Sequence, residues 1–368
     1  MLFKDVIGQS NIKAAFSKMV ATNRLPHALL LLGGEGSGKL ALAVALAQYV
    51  LCQKHTNEDA CGECPSCSKV SKIIHPDLHF SFPTIGANVV SDAFLPQWRE
   101  AILENPYLNA NQWLQHIGAE NKQGNINKQE CVNIVKKISL KTFENTKKIF
   151  IIWLPEYLGK EGNRLLKLIE EPPAQTLFIL VAEKQELILN TILSRCQIIK
   201  INGLSDEDIK NSLIQKENIT AEVAEMASHL SGGNYNEALQ LAQSKTNNHA
   251  DFFLEWLRKC YKGNGIDLVD WTEQFAKMGR EVQKQFIQYA LHFLREFMVL
   301  KLTQTDYIRL QTKELATAKK MIPVIEFDQI DKIAHLLSES SYHIERNANP
   351  KVLFLDVSIQ VNAILRRL

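Results

Sequence analysis

Up to about residue 203, short continuous apolar runs alternate with stretches of helical period. The runs "HALLLL" (27–32), "LHFSF" (78–82), "KIFIIWL" (148–154), "LFILVA" (177–182) and "QIIKI" (197–201) predict strands. Runs this short and uniformly apolar suit parallel strands buried on both faces, with helices between them. The expected architecture is therefore a parallel α/β sandwich. Residues 81–125 interrupt the pattern: the segment is polar, rich in Asn, contains Trp and shows no clear period, so it reads as an insertion.

The pattern changes at "GLSDEDI" (203–209), where Ser205 can cap a new helix. No convincing strand follows. The stretch "LSGGNYNEALQLAQ" (230–243) reads as a helix end, a turn and a new helix, and "SKTNNHAD" (244–251) is polar. Long amphipathic stretches such as 281–302 then predict a helical bundle. The expected division is an α/β domain over 1–203, a small helical domain over 204–246 and an all-α C-terminal domain over 247–368.

The composition, 46% hydrophobic and 22% charged over 368 residues, suits a globular chain of two or three domains. A net charge of +2 supplies no strong basic field, so nucleic-acid contact would need a local patch or a partner. The N-terminal "MLFKDVIGQ" lacks the layout of a signal peptide. No apolar run approaches the ~20 residues of a membrane-spanning helix. The expectation is a cytoplasmic protein with no membrane partner.

Four of the seven cysteines cluster as C-x8-C-x2-C-x2-C: Cys52, Cys61, Cys64 and Cys67. In a reducing compartment such a cluster points to a metal rather than to disulfides. Zinc takes four thiolates in a tetrahedron, and Gly62 and Pro65 suit the turns between the ligands. With no open coordination position the zinc would be structural. Free thiols, a redox pair and an iron–sulfur cluster are the alternatives.

The stretch "LLLLGGEGSGKLALAVALAQYVLC" (29–52) places a glycine loop between a strand and a helix. Gly33, Gly38 and Lys39 fit G-x-x-x-x-G-K-[ST], with Gly36 inside the loop. The next residue should carry the hydroxyl that holds magnesium, yet it is Leu40. Hydrolysis also needs acids at the end of a later strand. There the chain reads Trp153-Leu154, with Glu156 offset behind Pro155. The loop amides and Lys39 could still attract phosphate, which leaves nucleotide binding open, but hydrolysis is not expected. The plain alternative is a tight turn that packs the helix on the sheet.

"RLPHALLLLGGEGSGK", the cysteine quartet, "HPD" (75–77), "NRLLKLIEEPP" (163–173) and "TILSRCQIIKI" (191–201) share their order with bacterial clamp-loader subunits. The chain resembles that family of AAA+ ATPases and their inactive relatives over most of 1–205 outside the insertion. "GGNYNEALQL" extends the likeness, and residues 345–365 continue it weakly. The resemblance implies an AAA+ α/β domain with a zinc module at about 52–67. A helical lid and a C-terminal collar for oligomerisation would follow. Family motors keep a Ser/Thr after the loop lysine, an Asp-Glu pair, a polar sensor and a lid arginine. This chain has Leu40, Trp153-Leu154, Ala182-Glu183 and, at about the last position, Asn236. Within the family these losses imply a stator with a degenerate ATPase site. They also imply that Arg195 of "SRC" acts in trans on a neighbour's ATP site. Implied partners are clamp-loader subunits of the delta and gamma/tau types, with the sliding clamp and primer–template DNA reached through the complex. His27 and His75 read as structural residues. The rival readings are an active motor subunit, a P-loop kinase and a zinc-stabilised DNA-binding module.

Overall fold

The computed structural model describes residues 1–119, 122–145, 147–243, 249–305, 308–310, 312–346 and 348–367. The chain forms two compact units, Met1–Ala242 and Gln243–Leu368. The expected boundary at 246 lies outside the described residues.

The first unit holds a five-stranded parallel sheet in the order β2-β3-β4-β1-β5. Its strands are β1 (Ala28–Leu32), β2 (Leu78–Ser81), β3 (Lys148–Trp153), β4 (Thr176–Ala182) and β5 (Gln197–Lys200). Each lies within a residue of its expected bounds. The three inner strands are buried on both faces, whereas edge strand β5 is largely exposed. Alternate residues serve opposite layers. Leu29, Leu31, Ile149, Ile151 and Ile179 join one apolar cluster, while Leu30, Phe150, Ile152, Phe178 and Leu180 join the other. Helix Lys39–Leu51 packs into the first cluster and is apolar on every side, as a fully buried helix must be.

The segment 81–125 showed no period because its order is aromatic and tertiary. It contributes the helices Leu95–Glu104 and Ala110–His116, and Thr84 pairs antiparallel with Asn125. Trp98 stacks on Phe82 at 4.2 Å and meets Trp113 and Trp153, each at 5.0 Å. The Trp113 indole donates to the carbonyl of Pro83 at 2.8 Å.

After Gly203 come the helices Asp206–Glu217, Ala221–Leu230 and Tyr235–Gln243. Ser205 caps the first by accepting from the amide of Asp208. All but the last residue of these helices belong to the same compact unit as the sheet.

Helices are the second unit's regular structure, with no strand among its described residues. Its core gathers Trp256, Trp271, Phe275 and Phe286 around Phe354, which lies 3.8 Å from Phe275 between ring centroids. The Trp256 indole donates to Ser358 Oγ at 2.9 Å. No described helix is long and apolar enough to cross a membrane.

Candidate functional site

Parallel pairing of β1 with β4 sets Leu32 opposite Ala182. The glycine loop after β1 and Glu183 after β4 therefore emerge side by side. Gly36 and Gly38 adopt left-handed φ values of +63° and +86°, conformations that side chains disfavour. Space is short as well. A Cβ on Gly36 would overlap the amide oxygen of Asn234, and one on Gly38 would sit 3.1 Å from the Tyr107 ring. Gly33 lies against the carbonyl of Ile201.

Lys39 is only 5% exposed and donates to the carbonyl of Gly34, inside its own loop. Its ammonium lies 3.7 Å from the Glu183 carboxylate. Burial lowers the lysine pKa, with the charges of Glu183, Glu156 and Glu35 opposing. Burial likewise pushes Glu183 up to about 7, against the pull of Lys39. Both groups are thus biased toward their neutral forms, because the pair is taken out of water.

The residue after the loop lysine and the one that ends β3 are apolar and enclosed. Leu40 belongs to the buried cluster beneath the loop, and Trp153 to the aromatic group around Trp98. Glu156 Oε1 accepts from the amides of Glu183 and Lys184 beyond β4, the latter at 2.7 Å. That oxygen anchors the strand end, while Oε2 is buried without a hydrogen-bond partner among the described residues.

Other segments of the first unit close over the loop. The Tyr107 ring lies 4.8 Å from that of Tyr235, whose amide donates to the Gly36 carbonyl at 3.2 Å. The Tyr107 hydroxyl accepts from the amide of Ile7 at 2.9 Å. Asn236 is buried and accepts from Asn105 Nδ2 at 2.8 Å. The Gln9 amide donates to the carbonyls of Ser37 and Asn202. A cleft of about 720 Å³ beside the loop is lined by Glu35, Glu156 and Glu183 as well as Lys184. The roles of Tyr107 and Tyr235 carried no signal in the sequence.

Arg195 follows the short helix Asn190–Leu193 and is half-buried at the surface. Its Nη1 donates to the carbonyl of Thr191 at 2.8 Å, and Nε to Glu170 at 3.1 Å. The "SRC" and "LIEEPP" stretches therefore meet. None of the hydrogen bonds of Arg195 involves the glycine loop.

The "HPD" motif is a brace. The Asp77 carboxylate accepts from the amides of Phe143, Glu144 and Asn145 at 2.6, 2.8 and 2.9 Å, tying down the turn before β3. His75 is buried and accepts from the Asp77 amide.

Cys52, Cys61, Cys64 and Cys67 bring their sulfurs within 4.8 Å of one another. Separations of 3.5, 3.9 and 4.0 Å bracket the ~3.8 Å between sulfurs bound tetrahedrally at ~2.3 Å from one zinc. The amides of Cys61, Cys64 and Cys67 each point at the preceding cysteine's sulfur, at 3.3 to 3.4 Å. Amides from Glu63 and Cys64 draw the Cys61 thiol down to about 6, whereas burial without a metal pushes the Cys52 and Cys67 thiols up. Such donors favour thiolate, the form a metal requires. The quartet could hold one metal ion with four protein ligands.

The profile of the family described as "DNA polymerase III, delta subunit" matches residues 8–205. The Bacillus subtilis (strain 168) DNA polymerase III subunit delta' is 24% identical over 286 residues, 71% of this chain and 74% of that protein. The DNA polymerase III subunit gamma of Buchnera aphidicola subsp. Acyrthosiphon pisum is 28% identical over 56% of this chain and 47% of its own length. The Escherichia coli (strain K12) DNA polymerase III subunit delta' is 26% identical over 63% of this chain and 60% of its own length. The chain thus spans less than two thirds of the last two relatives.

Proposed function

The chain belongs to the family described as DNA polymerase III, delta subunit, and we propose that it is the non-hydrolysing, delta-prime type subunit of a clamp loader. One observation carries this reading: Leu40 and Trp153, at the places of the magnesium ligands, are buried among apolar neighbours. Catalysis of phosphoryl transfer consists mainly of positioning and neutralising charge, and neither Leu40 nor Trp153 can hold the cation that serves this purpose. The surroundings support it. Lys39 is engaged by Gly34 and Glu183, and the adjoining cleft presents three glutamates that would repel a polyphosphate.

In this reading the chain contributes to its neighbour's chemistry. Arg195 would extend from its surface turn into the ATP site of an adjoining subunit and neutralise charge on the transferring phosphate. Residues 204–246 would serve as the lid and 247–368 as the collar. The partners would be subunits of the delta and gamma/tau types, with sliding clamp and primer–template DNA engaged by the assembly. Cys52, Cys61, Cys64 and Cys67 would hold a structural zinc ion that braces residues 52–67.

The second reading, a hydrolysing gamma-type motor, is favoured by the similarity to gamma subunits. Against it, Leu40 and Trp153 offer a cation no side-chain oxygen, and Glu156 Oε1 is held by the amides of Glu183 and Lys184. The ATPase activity and nucleotide stoichiometry of the purified chain separate the two, and background turnover is expected. Magnesium-dependent hydrolysis at about 1 s⁻¹ or faster, abolished by Lys39→Ala, would overturn the stator reading.

A further inference from the structure

The helical unit carries an apolar groove that the stator reading does not use. One wall is helix His249–Lys262, which presents Leu254, Leu257, Arg258 and Tyr261 at helical spacing. The other is helix Thr312–Met321 with Thr317, Lys320 and Met321, and Ile325 and Leu365 close the floor. The groove encloses about 300 Å³. Its lips are apolar too: Tyr261 is 51% exposed and Val324 is 44% exposed.

The charge around this groove has one sign. Arg258 and Lys262 stand on one wall and Lys320 on the other, all exposed, and no carboxylate lines the groove. None of these three cations forms an ion pair with a described residue. We propose that the groove docks an amphipathic helix of a partner protein, its apolar stripe flanked by aspartates or glutamates.

The geometry selects this occupant over others. A groove between two helices is a common seat for a third helix, read by anchors at i, i+3, i+4 and i+7. Cations on both walls suit a ligand with carboxylates on both flanks, whereas a fatty acid brings only one. Nucleic acid offers no aliphatic stripe for the apolar lining of Leu254, Leu257, Ile325 and Leu365. The rim cations would set orientation and encounter rate, and the floor would supply most of the affinity.

The test uses the full chain and two fluorescein-labelled peptides of about fourteen residues, long enough for anchors at i through i+7. Each carries leucines at the anchor positions; one has glutamates on both flanks and the other has lysines there. Fluorescence anisotropy should show saturable binding of the glutamate peptide, about tenfold or more tighter than the lysine peptide at low salt. The variant R258E/K262E/K320E should reverse that preference, with an unchanged thermal midpoint because all three residues are exposed. Tyr261→Ala should weaken both peptides without altering the preference. Equal affinity for the two peptides, no binding of either, or indifference to charge reversal would overturn the proposal. So would sedimentation showing a dimer that R258E/K262E/K320E dissociates, since the groove would then be covered by a second copy of this chain.

Discussion

The guanidinium of Arg195 is held 3.1 Å from the carboxylate of Glu170, joining two stretches 25 residues apart in the chain. The pair is at the surface, where such bridges contribute about 1 kcal/mol or less. Arg195→Ala should therefore leave folding, metal content and assembly intact. It should lower DNA-stimulated ATPase and clamp loading in the reconstituted complex. Arginine fingers contribute roughly 10³–10⁵ in rate at one site, and the loss across several sites should be smaller. Arg195→Lys should rescue poorly, lacking the planar fork of donors. Wild-type rates in an intact complex would reduce Arg195 to a structural residue.

Leu40→Thr should not create an ATPase, because Trp153 still stands where the acids belong. It should also destabilise the first unit. Leu40 is only 3% exposed, so losing its side chain to a smaller one with an unpaired hydroxyl costs about 2–4 kcal/mol. Urea unfolding and a phosphate-release assay check both halves; a gain of magnesium-dependent turnover contradicts them.

Glu183 makes stability depend on pH in an unusual direction. Its folded pKa is raised by burial from 4.5 to about 7. Between those values the folded chain binds more protons than the unfolded chain. The contribution is fully present below about pH 4.5 and is lost as pH rises through 7. The full effect is at most about 3 kcal/mol. Urea midpoints measured from pH 5 to 8 should therefore fall more steeply for the wild type than for Glu183→Gln. Parallel pH profiles would show that the carboxylate is not held this way.

One zinc ion per chain is expected in the cysteine quartet. The Cys64→Ser, Cys67→Ser double variant should lose it, since two of four thiolates are removed. Residues 52–67 should loosen while the sheet persists, because strands β1, β3 and β4 are buried by their own layers. Metal analysis and limited proteolysis are the measurements; unchanged zinc in the double variant contradicts the assignment.

Trp98 is fully buried among Phe82, Trp113 and Trp153. Replacing it with Ala should cost about 3–5 kcal/mol, the usual penalty for truncating a large aromatic in a packed core. A loss below about 1 kcal/mol by urea titration would mean that residues 81–125 are peripheral rather than part of the core.

The chain's linear pattern was enough to locate every strand of the sheet, because a short, uniformly apolar run is stable only when both of its faces are covered. The cysteine spacing likewise announced a four-sulfur cluster, since close pairs on turns need little help from the rest of the fold. That Leu40 and Trp153 have no side-chain oxygen to offer a cation was legible from residue type alone. Tertiary structure decided the rest. The parallel register of β1 and β4 brought Glu183 beside Lys39. Chain closure set Tyr107 and Tyr235 over the glycine loop and joined Glu170 to Arg195. These partners are distant in sequence and share no local period, so only the topology of the folded sheet and its helices could bring them together.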